Sequence, residues 1–146
     1  MSHEIVQQIP KKDALRRGLV YIRFNHEGRA YVGETSMGIN RIERRSLNSY
    51  PLFFIRHDSL DCEDLRCSAE AIIILLLDVL KREPDNKSMA RISLTPLHIE
   101  LYEGLLAALN NFSLPVWKFL EISPLELDSG VNKILNLFEG NKARHL

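Results

Sequence analysis

The sequence contains few cysteines, no excess of charge of either sign and no apolar run long enough to cross a membrane. Its two cysteines, Cys62 and Cys67, have four residues between them, which is not a usual spacing for zinc ligands. We expect reduced thiols and a cytoplasmic protein, because disulfides are rare in that compartment. The longest apolar run, residues 71–77, is far shorter than the ~20 residues of a membrane-spanning helix, so it predicts a buried element and no membrane contact.

Positive and negative side chains balance over the whole chain but not along it. Nineteen Lys and Arg oppose nineteen Asp and Glu in 146 residues, which excludes a cationic coat over the entire surface. Residues 1–57, however, hold ten basic side chains against five acidic ones, and residues 58–146 hold nine against fourteen. This asymmetry is consistent with binding of a polyanion by residues 1–57. It is equally consistent with the two parts of the chain exposing different helices to solvent. Charge alone leaves both interpretations open.

Turn residues and apolar patterns predict alternating strands and helices in the first part of the chain. Residues 19–24 and 29–35 are rich in β-branched and aromatic side chains and flank an Asn-to-Gly turn, which predicts a β-hairpin. Three further elements are predicted: a helix over 36–50, a strand over 52–57 and a helix over 68–83. We therefore expect an α+β domain over 18–90, with a small three-stranded, mostly antiparallel sheet flanked by helices.

Two further segments flank this domain. Residues 1–17 form a polar N-terminal lead-in, and residues 91–146 form a mainly helical C-terminal extension. The extension is predicted to contain, in order, a helix over 95–111, a strand over 114–123 and a helix over 124–140. In the first of these helices leucine recurs at fourfold spacing and gives one apolar stripe. Such a stripe either packs on the domain or joins two copies of the chain as a homodimer.

Two tyrosines, a glycine and an arginine form the strongest pattern with chemical content. Antiparallel pairing of the hairpin strands would bring Tyr21 and Tyr31 to one face, where Gly33 leaves room for close approach. Arg41 follows in the first turns of the next predicted helix. A phenol can orient or deprotonate a water, and a guanidinium can neutralise charge growing on phosphate oxygens. The pattern therefore suits phosphodiester chemistry; the alternative is an ordinary cross-strand aromatic pair.

The same residues resemble the motifs of the GIY-YIG nucleases. LVYI at 19–22 is similar to the first motif, YVGET at 31–35 is similar to the second, and Arg41 follows Gly33 by eight residues. The expected β-β-α-β-α order over about 18–87 also resembles that of the family. The resemblance implies an endonuclease that hydrolyses DNA phosphodiester bonds with one divalent ion, Mg²⁺ or Mn²⁺, in the cytoplasm or at the nucleoid.

The resemblance also implies roles for individual residues. The expected catalytic residues are Tyr21, Tyr31 and Arg41, and the expected metal ligand is Glu70. The residues expected to contact nucleic acid, mainly through its phosphate backbone, are Arg23, Arg29, Gly33, Arg44 and Arg45. Two additional candidates are His57 and Asn86.

The sequence supports two other kinds of function. Glu34 follows the second motif and would place a negative charge beside a bound phosphate, which favours a catalytically inactive GIY-YIG-fold module that binds nucleic acid or protein. Glu70 has a second interpretation too, because the helix macrodipole favours an acidic side chain in the first turn of a helix. The apolar helices of the extension favour a third function, a protein-interaction domain that forms a homodimer.

Overall fold

The computed structural model describes residues 4–7, 18–36, 52–85 and 92–144 of the chain. The strands in these ranges are β1 (Glu4–Gln7), β2 (Leu19–Phe24), β3 (Ala30–Thr35) and β4 (Leu52–Arg56). A 3₁₀ helix (Asp58–Asp61) precedes the α-helices, which are α1 (Glu63–Val79), α2 (Pro96–Leu109), α3 (Pro115–Phe119) and α4 (Pro124–Arg144). The expected α+β class is confirmed.

The strands form one antiparallel sheet in the order β1-β4-β2-β3. The three predicted strands are present as β2, β3 and β4, with β2 in the middle of that set. The fourth strand, β1, comes from the N-terminal lead-in and pairs with β4. The sequence does not predict a strand in the lead-in, since four residues, EIVQ, are too few to show a clear alternating pattern. A short strand at a sheet edge can be held by its backbone hydrogen bonds alone.

Asn25 and Gly28 determine the turn between β2 and β3. Oδ1 of Asn25 accepts hydrogen bonds from the backbone N–H groups of Glu27 and Arg29, at 2.9 and 3.0 Å. Gly28 has a φ of +78°, a left-handed conformation that glycine adopts without steric cost. The predicted hairpin is confirmed, and its turn fixes the register in which each residue of β2 faces one residue of β3.

The register divides the sheet into two faces. The core face carries Val20, Ile22, Val32, Phe53 and Ile55, which are buried with helix residues in one hydrophobic cluster. The opposite face, called the tyrosine face below, carries Leu19, Tyr21, Arg23, Tyr31, Gly33 and Phe54. The candidate site is therefore on the side of the sheet that points away from the main core.

Helix α1 contains the longest apolar run of the chain, and most of that run is buried in the core. The helix begins at Glu63, earlier than the predicted start at residue 68, because Glu63 and Asp64 suit the positive end of the helix macrodipole. Glu70 consequently lies two turns inside the helix and is not the first-turn acid of the alternative interpretation. Among the described residues, no helix has the length and apolarity needed to span a membrane.

The C-terminal extension packs on the domain through its own apolar residues. Leu106 of α2, Trp117 of α3 and Ile134 of α4 belong to the same buried cluster as the core face and α1. The prediction of a strand over 114–123 is wrong, since this segment contains the short helix α3. Pro115 takes the first helical position, where its fixed φ is suitable and its missing N–H is not needed.

Candidate active site

The two tyrosines of the predicted site lie diagonally across neighbouring strands. Tyr21 is opposite Gly33, and Tyr31 is opposite Arg23, so all four residues share the tyrosine face. The rings of Tyr21 and Tyr31 are nearly stacked, with centroids 6.3 Å apart and an interplanar angle of 29°. Both side chains are half-buried. The hairpin thus brings two phenols to one place, as its alternation predicts.

The ring of Tyr21 occupies the space above Gly33. A Cβ atom at residue 33 would overlap the ring, with the Cε1 atom of Tyr21 only 2.8 Å away. The expected room for close approach at Gly33 is therefore filled by Tyr21 itself. Glycine at this position allows the phenol to lie flat on the strand, which fixes the direction of its hydroxyl group.

Arg23 completes the group of side chains on this face. Its guanidinium carbon lies 4.3 Å from the centroid of the Tyr31 ring, which is a cation–π contact. Burial raises the pKa of Tyr21, and the neighbouring Tyr31 raises it further; Arg23 lowers it, Glu70 and Glu34 add smaller increases, and the net direction is upward. The Tyr21 phenol therefore stays protonated at neutral pH and can act as a hydrogen-bond donor.

Glu70 is a half-buried carboxylate of α1 that interacts electrostatically with this phenol. Burial, with a smaller contribution from Glu34, raises its pKa from the usual 4.5 to about 7. Within the described ranges, Glu70 has neither a hydrogen-bond donor nor a basic side chain as a partner. A partly buried acid without a partner is the kind of group that a cation or a transferred proton would stabilise.

Glu34, unlike Glu70, has a basic partner in the described part of the chain. The buried Arg66 of α1 donates from Nε to Oε2 of Glu34 and from an Nη atom to the carbonyl oxygen of Leu60, the latter at 3.0 Å. The negative charge that the sequence places after the second motif is thus compensated by Arg66. Sequence reasoning missed Arg66, because a contact between residues 34 and 66 leaves no local pattern.

A divalent cation would have to use Glu70 with few other protein ligands. In the ranges described, no three His, Cys, Asp or Glu side chains come together as a metal-binding group. Mg²⁺ is commonly held by one or two carboxylates, with waters and substrate phosphate as the remaining ligands. Glu70 fits this type of site, since its carboxylate is half-buried and no partner among the residues described would have to be displaced by a cation.

Two of the other predicted site residues lie away from the tyrosines. Arg29 pairs with Asp85 at 3.0 Å at the turn end of the hairpin, where Asn25 also donates to Asp85. His57 follows β4 and lines a cavity of about 370 Å³ between β4, the 3₁₀ helix, α1 and α2. The remaining predicted residues, Arg41, Arg44, Arg45 and Asn86, lie outside the described residues.

Comparison of the chain with protein-family models, with curated proteins and with solved structures finds no match. The interpretation of the site therefore depends on its own geometry and electrostatics.

Proposed function

We propose that this chain is an endonuclease of the GIY-YIG type that hydrolyses DNA phosphodiester bonds with the help of one divalent cation, Mg²⁺ or Mn²⁺. The observation that carries the proposal is Glu70, a half-buried carboxylate with no partner among the described residues, whose charge contributes to raising the pKa of Tyr21, one of two adjoining phenols. A site for phosphodiester hydrolysis needs such groups, which orient water and balance charge.

The order of the elements also supports this proposal. A hairpin of β2 and β3 is followed, after residues 37–51, by β4 on the other side of β2 and then by α1. The hairpin, the later strand and the final helix occur in the order expected for a β-β-α-β-α domain, while the helix predicted over 36–50 lies outside the described residues. It brings residue 70, at the middle of α1, within electrostatic reach of the hairpin residue Tyr21 although the two are far apart in the sequence.

Each residue expected to take part in the proposed reaction has a distinct role, Arg41 among them although it lies outside the described residues. The neutral phenol of Tyr21 donates a hydrogen bond that orients the attacking water or a phosphate oxygen, and Tyr31 restrains it by stacking. Arg41 neutralises charge on the phosphate in the transition state. Glu70 would hold the divalent cation, which supplies Lewis-acid polarisation of the phosphate when it is bound.

The free thiols of Cys62 and Cys67 suit action in a reducing compartment, the cytoplasm or the nucleoid.

The test is nicking of supercoiled plasmid DNA in the presence of Mg²⁺ or Mn²⁺. We expect the wild-type chain to nick, and Arg41→Ala to abolish nicking while DNA binding falls only modestly, because one cation among several contributes to binding. Lys133→Gln removes one positive charge from the exposed surface of α4 and is the matched control. Unchanged nicking by Arg41→Ala would reject the assignment of Arg41.

The second candidate function is a binding module that retains the fold without catalysis. It is favoured by Glu34, the acidic residue directly after Gly33 in the second motif, which is opposite Val20 and is paired with Arg66. The same assay separates the two functions. If the pure protein binds DNA but does not nick it with either metal, the chain is the binding module.

A further inference from the structure

Arg23 is placed in an unusual way for a basic side chain. It lies on β2, the interior strand between β3 and β4, where its direct neighbours are Tyr31 on one side and Leu52 on the other. Its side chain is half-buried. In the part of the chain that the structure describes, no carboxylate, carbonyl oxygen or amide accepts a hydrogen bond from its guanidinium.

The contact with Tyr31 holds the guanidinium but does not satisfy it. Stacking over the ring centroid at 4.3 Å uses the flat surface of the group and leaves its N–H donors free around the edge. Partial burial of a charge with no opposite charge beside it is unfavourable. A residue that serves only to stabilise the hairpin would not need this arrangement, since an apolar side chain could cover Tyr31 equally well.

The three other arginines of the described core differ from Arg23 in this respect. Arg56 is bonded to Asp58, Asp61 and two carbonyl oxygens, and Arg66 is bonded to Glu34 and Leu60. Arg82 donates to the carbonyl oxygens of three residues. Each of these guanidiniums donates to several acceptors of the chain, although Nε of Arg56 has no partner among the described residues, whereas Arg23 donates to no acceptor among them.

We propose that Arg23, stacked on Tyr31, is the phosphate-binding fork of the candidate site, and that it takes a phosphodiester group of the nucleic-acid backbone. The inference rests on the proposed function and extends it. Arg23 becomes a part of the site itself, beside the phenols, in place of a peripheral contact to the DNA backbone. A planar guanidinium is suited to this ligand because its parallel N–H groups match two oxygens of one phosphate.

The position of Arg23 also explains how the phosphate is oriented. Tyr21 and Arg23 are two residues apart on one strand and point to the same face, while Tyr31 contacts both. A phosphate bonded to the edge of the Arg23 guanidinium would lie next to the Tyr21 phenol. The aromatic contact restricts the arginine side chain before binding, so less conformational entropy is lost when the phosphate binds.

The test measures the salt dependence of DNA binding by the full chain. A short fluorescein-labelled DNA duplex is titrated with wild type, Arg23→Gln, Arg23→Lys, Tyr31→Leu and Tyr31→Phe over a series of NaCl concentrations. We expect Arg23→Gln to weaken binding and to reduce the slope of log K against log [NaCl] by about one, the loss of one phosphate contact. Tyr31→Leu should weaken binding, and Tyr31→Phe, which keeps the stack, should weaken it less than Tyr31→Leu does.

The variants separate the proposed fork from other roles of the same residues. Arg23→Lys keeps the charge without the planar fork, so it should retain the salt slope but bind less tightly than wild type. Lys133→Gln is the control for loss of an exposed charge, and urea unfolding confirms that each variant is folded. A salt slope and affinity in Arg23→Gln equal to those of wild type would overturn the fork, as would a wild-type chain that does not bind the duplex.

Failure of the fork and failure of the nuclease give different results. If wild type nicks plasmid DNA and Arg23→Gln keeps the wild-type salt slope, the nuclease stands and the fork is wrong. If wild type nicks no DNA but Arg23→Gln loses one unit of slope, the fork stands on a binding module.

Discussion

At position 33 the lack of a side chain determines where the phenol of Tyr21 lies. The ring of Tyr21 rests on the backbone of Gly33, in the space that any Cβ would fill. The hydroxyl direction therefore depends on a residue that takes no part in the chemistry. The two are direct cross-strand neighbours, so the effect of a substitution at residue 33 is transmitted to Tyr21 without an intermediate.

Gly33→Ala is predicted to displace the Tyr21 ring. Because the ring has to move out of its packed position, we expect the free energy of unfolding to fall by roughly 1–3 kcal/mol and nicking to fall with it. Urea unfolding and plasmid nicking measure the two effects. Gly104→Ala is the matched control: a Cβ there meets nothing within 4 Å in α2, so this change should stabilise the chain by roughly 0.5–1 kcal/mol. A destabilisation of equal size in both variants would contradict the account.

Glu70 is predicted to make the stability of the metal-free chain depend on pH. The unfolded chain releases the Glu70 proton near pH 4.5, whereas the folded chain keeps it up to about pH 7. The folded state therefore binds more protons between these values, so the contribution of Glu70 to stability is full below 4.5 and is lost as the pH rises through 7. Glu70→Gln should remove this loss and stabilise the chain on the order of 2 kcal/mol near pH 8, with no difference near pH 4.

Urea unfolding at a series of pH values, without divalent ions, measures this effect. Glu100→Gln removes an exposed glutamate of α2 and is the matched control. A Glu70→Gln variant that is less stable than wild type near pH 8 would show that the Glu70 carboxylate makes a stabilising contact, contrary to the structure described above.

Residues of the site differ in how far the sequence could predict them. Tyr21, Tyr31 and Gly33 could be placed on one face, since alternation along two hairpin strands is a local property. The pairing of Arg66 with Glu34 could not be predicted, because it depends on which groups α1 and the sheet bring together. The same holds for Arg23 and Glu70, which have no hydrogen-bond partner within the described part of the chain.

At the scale of the elements, local signals predict the hairpin and the long helices better than the edge strand β1 and the short helix α3. The N-cap of α2 is Thr95, whose side chain accepts a hydrogen bond from the backbone N–H of His98 at 3.3 Å, and Pro96 follows at the first helical position. His98 also bonds Asp64 at 2.7 Å and so ties α2 to the start of α1. That contact adds to the favourable placement of Glu63 and Asp64 in the first turn of α1.

The short helix α3 shows why pattern alone gave the wrong element there. Its alternation of apolar residues predicts a strand, but Val116 and Trp117 are both buried and the Trp117 indole donates to Leu109 at 2.8 Å. A single turn of helix can bury adjacent side chains, and periodicity over so few residues does not separate the two structures. The tertiary contact of the indole with α2 decides the outcome.

At the scale of the whole molecule, the domain and the extension share one hydrophobic core. The buried cluster runs from the core face through α1 to α2, α3 and α4. The apolar stripe of α2 therefore packs largely within this chain. Leu105 and Leu109 are buried in the cluster, while Leu97 at the start of the stripe is 61% exposed. The boundary near residue 90 separates two segments of sequence and not two cores.

A shared core predicts that the domain and the extension unfold together. Trp117 is the only tryptophan of the sequence and is 1% exposed in the extension, so its fluorescence reports the unfolding of that part. Far-ultraviolet circular dichroism reports the helices and the sheet together. We expect both signals to give the same midpoint in urea, as for one cooperative unit. Two separated transitions would mean that the extension folds on its own.

The most direct test of the central claim, that the tyrosine face carries a phosphodiesterase site, is the single-turnover rate of plasmid nicking by Tyr21→Phe in Mg²⁺. Tyr102→Phe is the matched control, since its hydroxyl group bonds the carbonyl oxygen of Ser93 in the extension. The account predicts nicking by wild type, a rate about a hundredfold lower for Tyr21→Phe, as for loss of one transition-state hydrogen bond, and a wild-type rate for folded Tyr102→Phe. Equal rates for wild type and Tyr21→Phe, or no nicking by wild type, would contradict it.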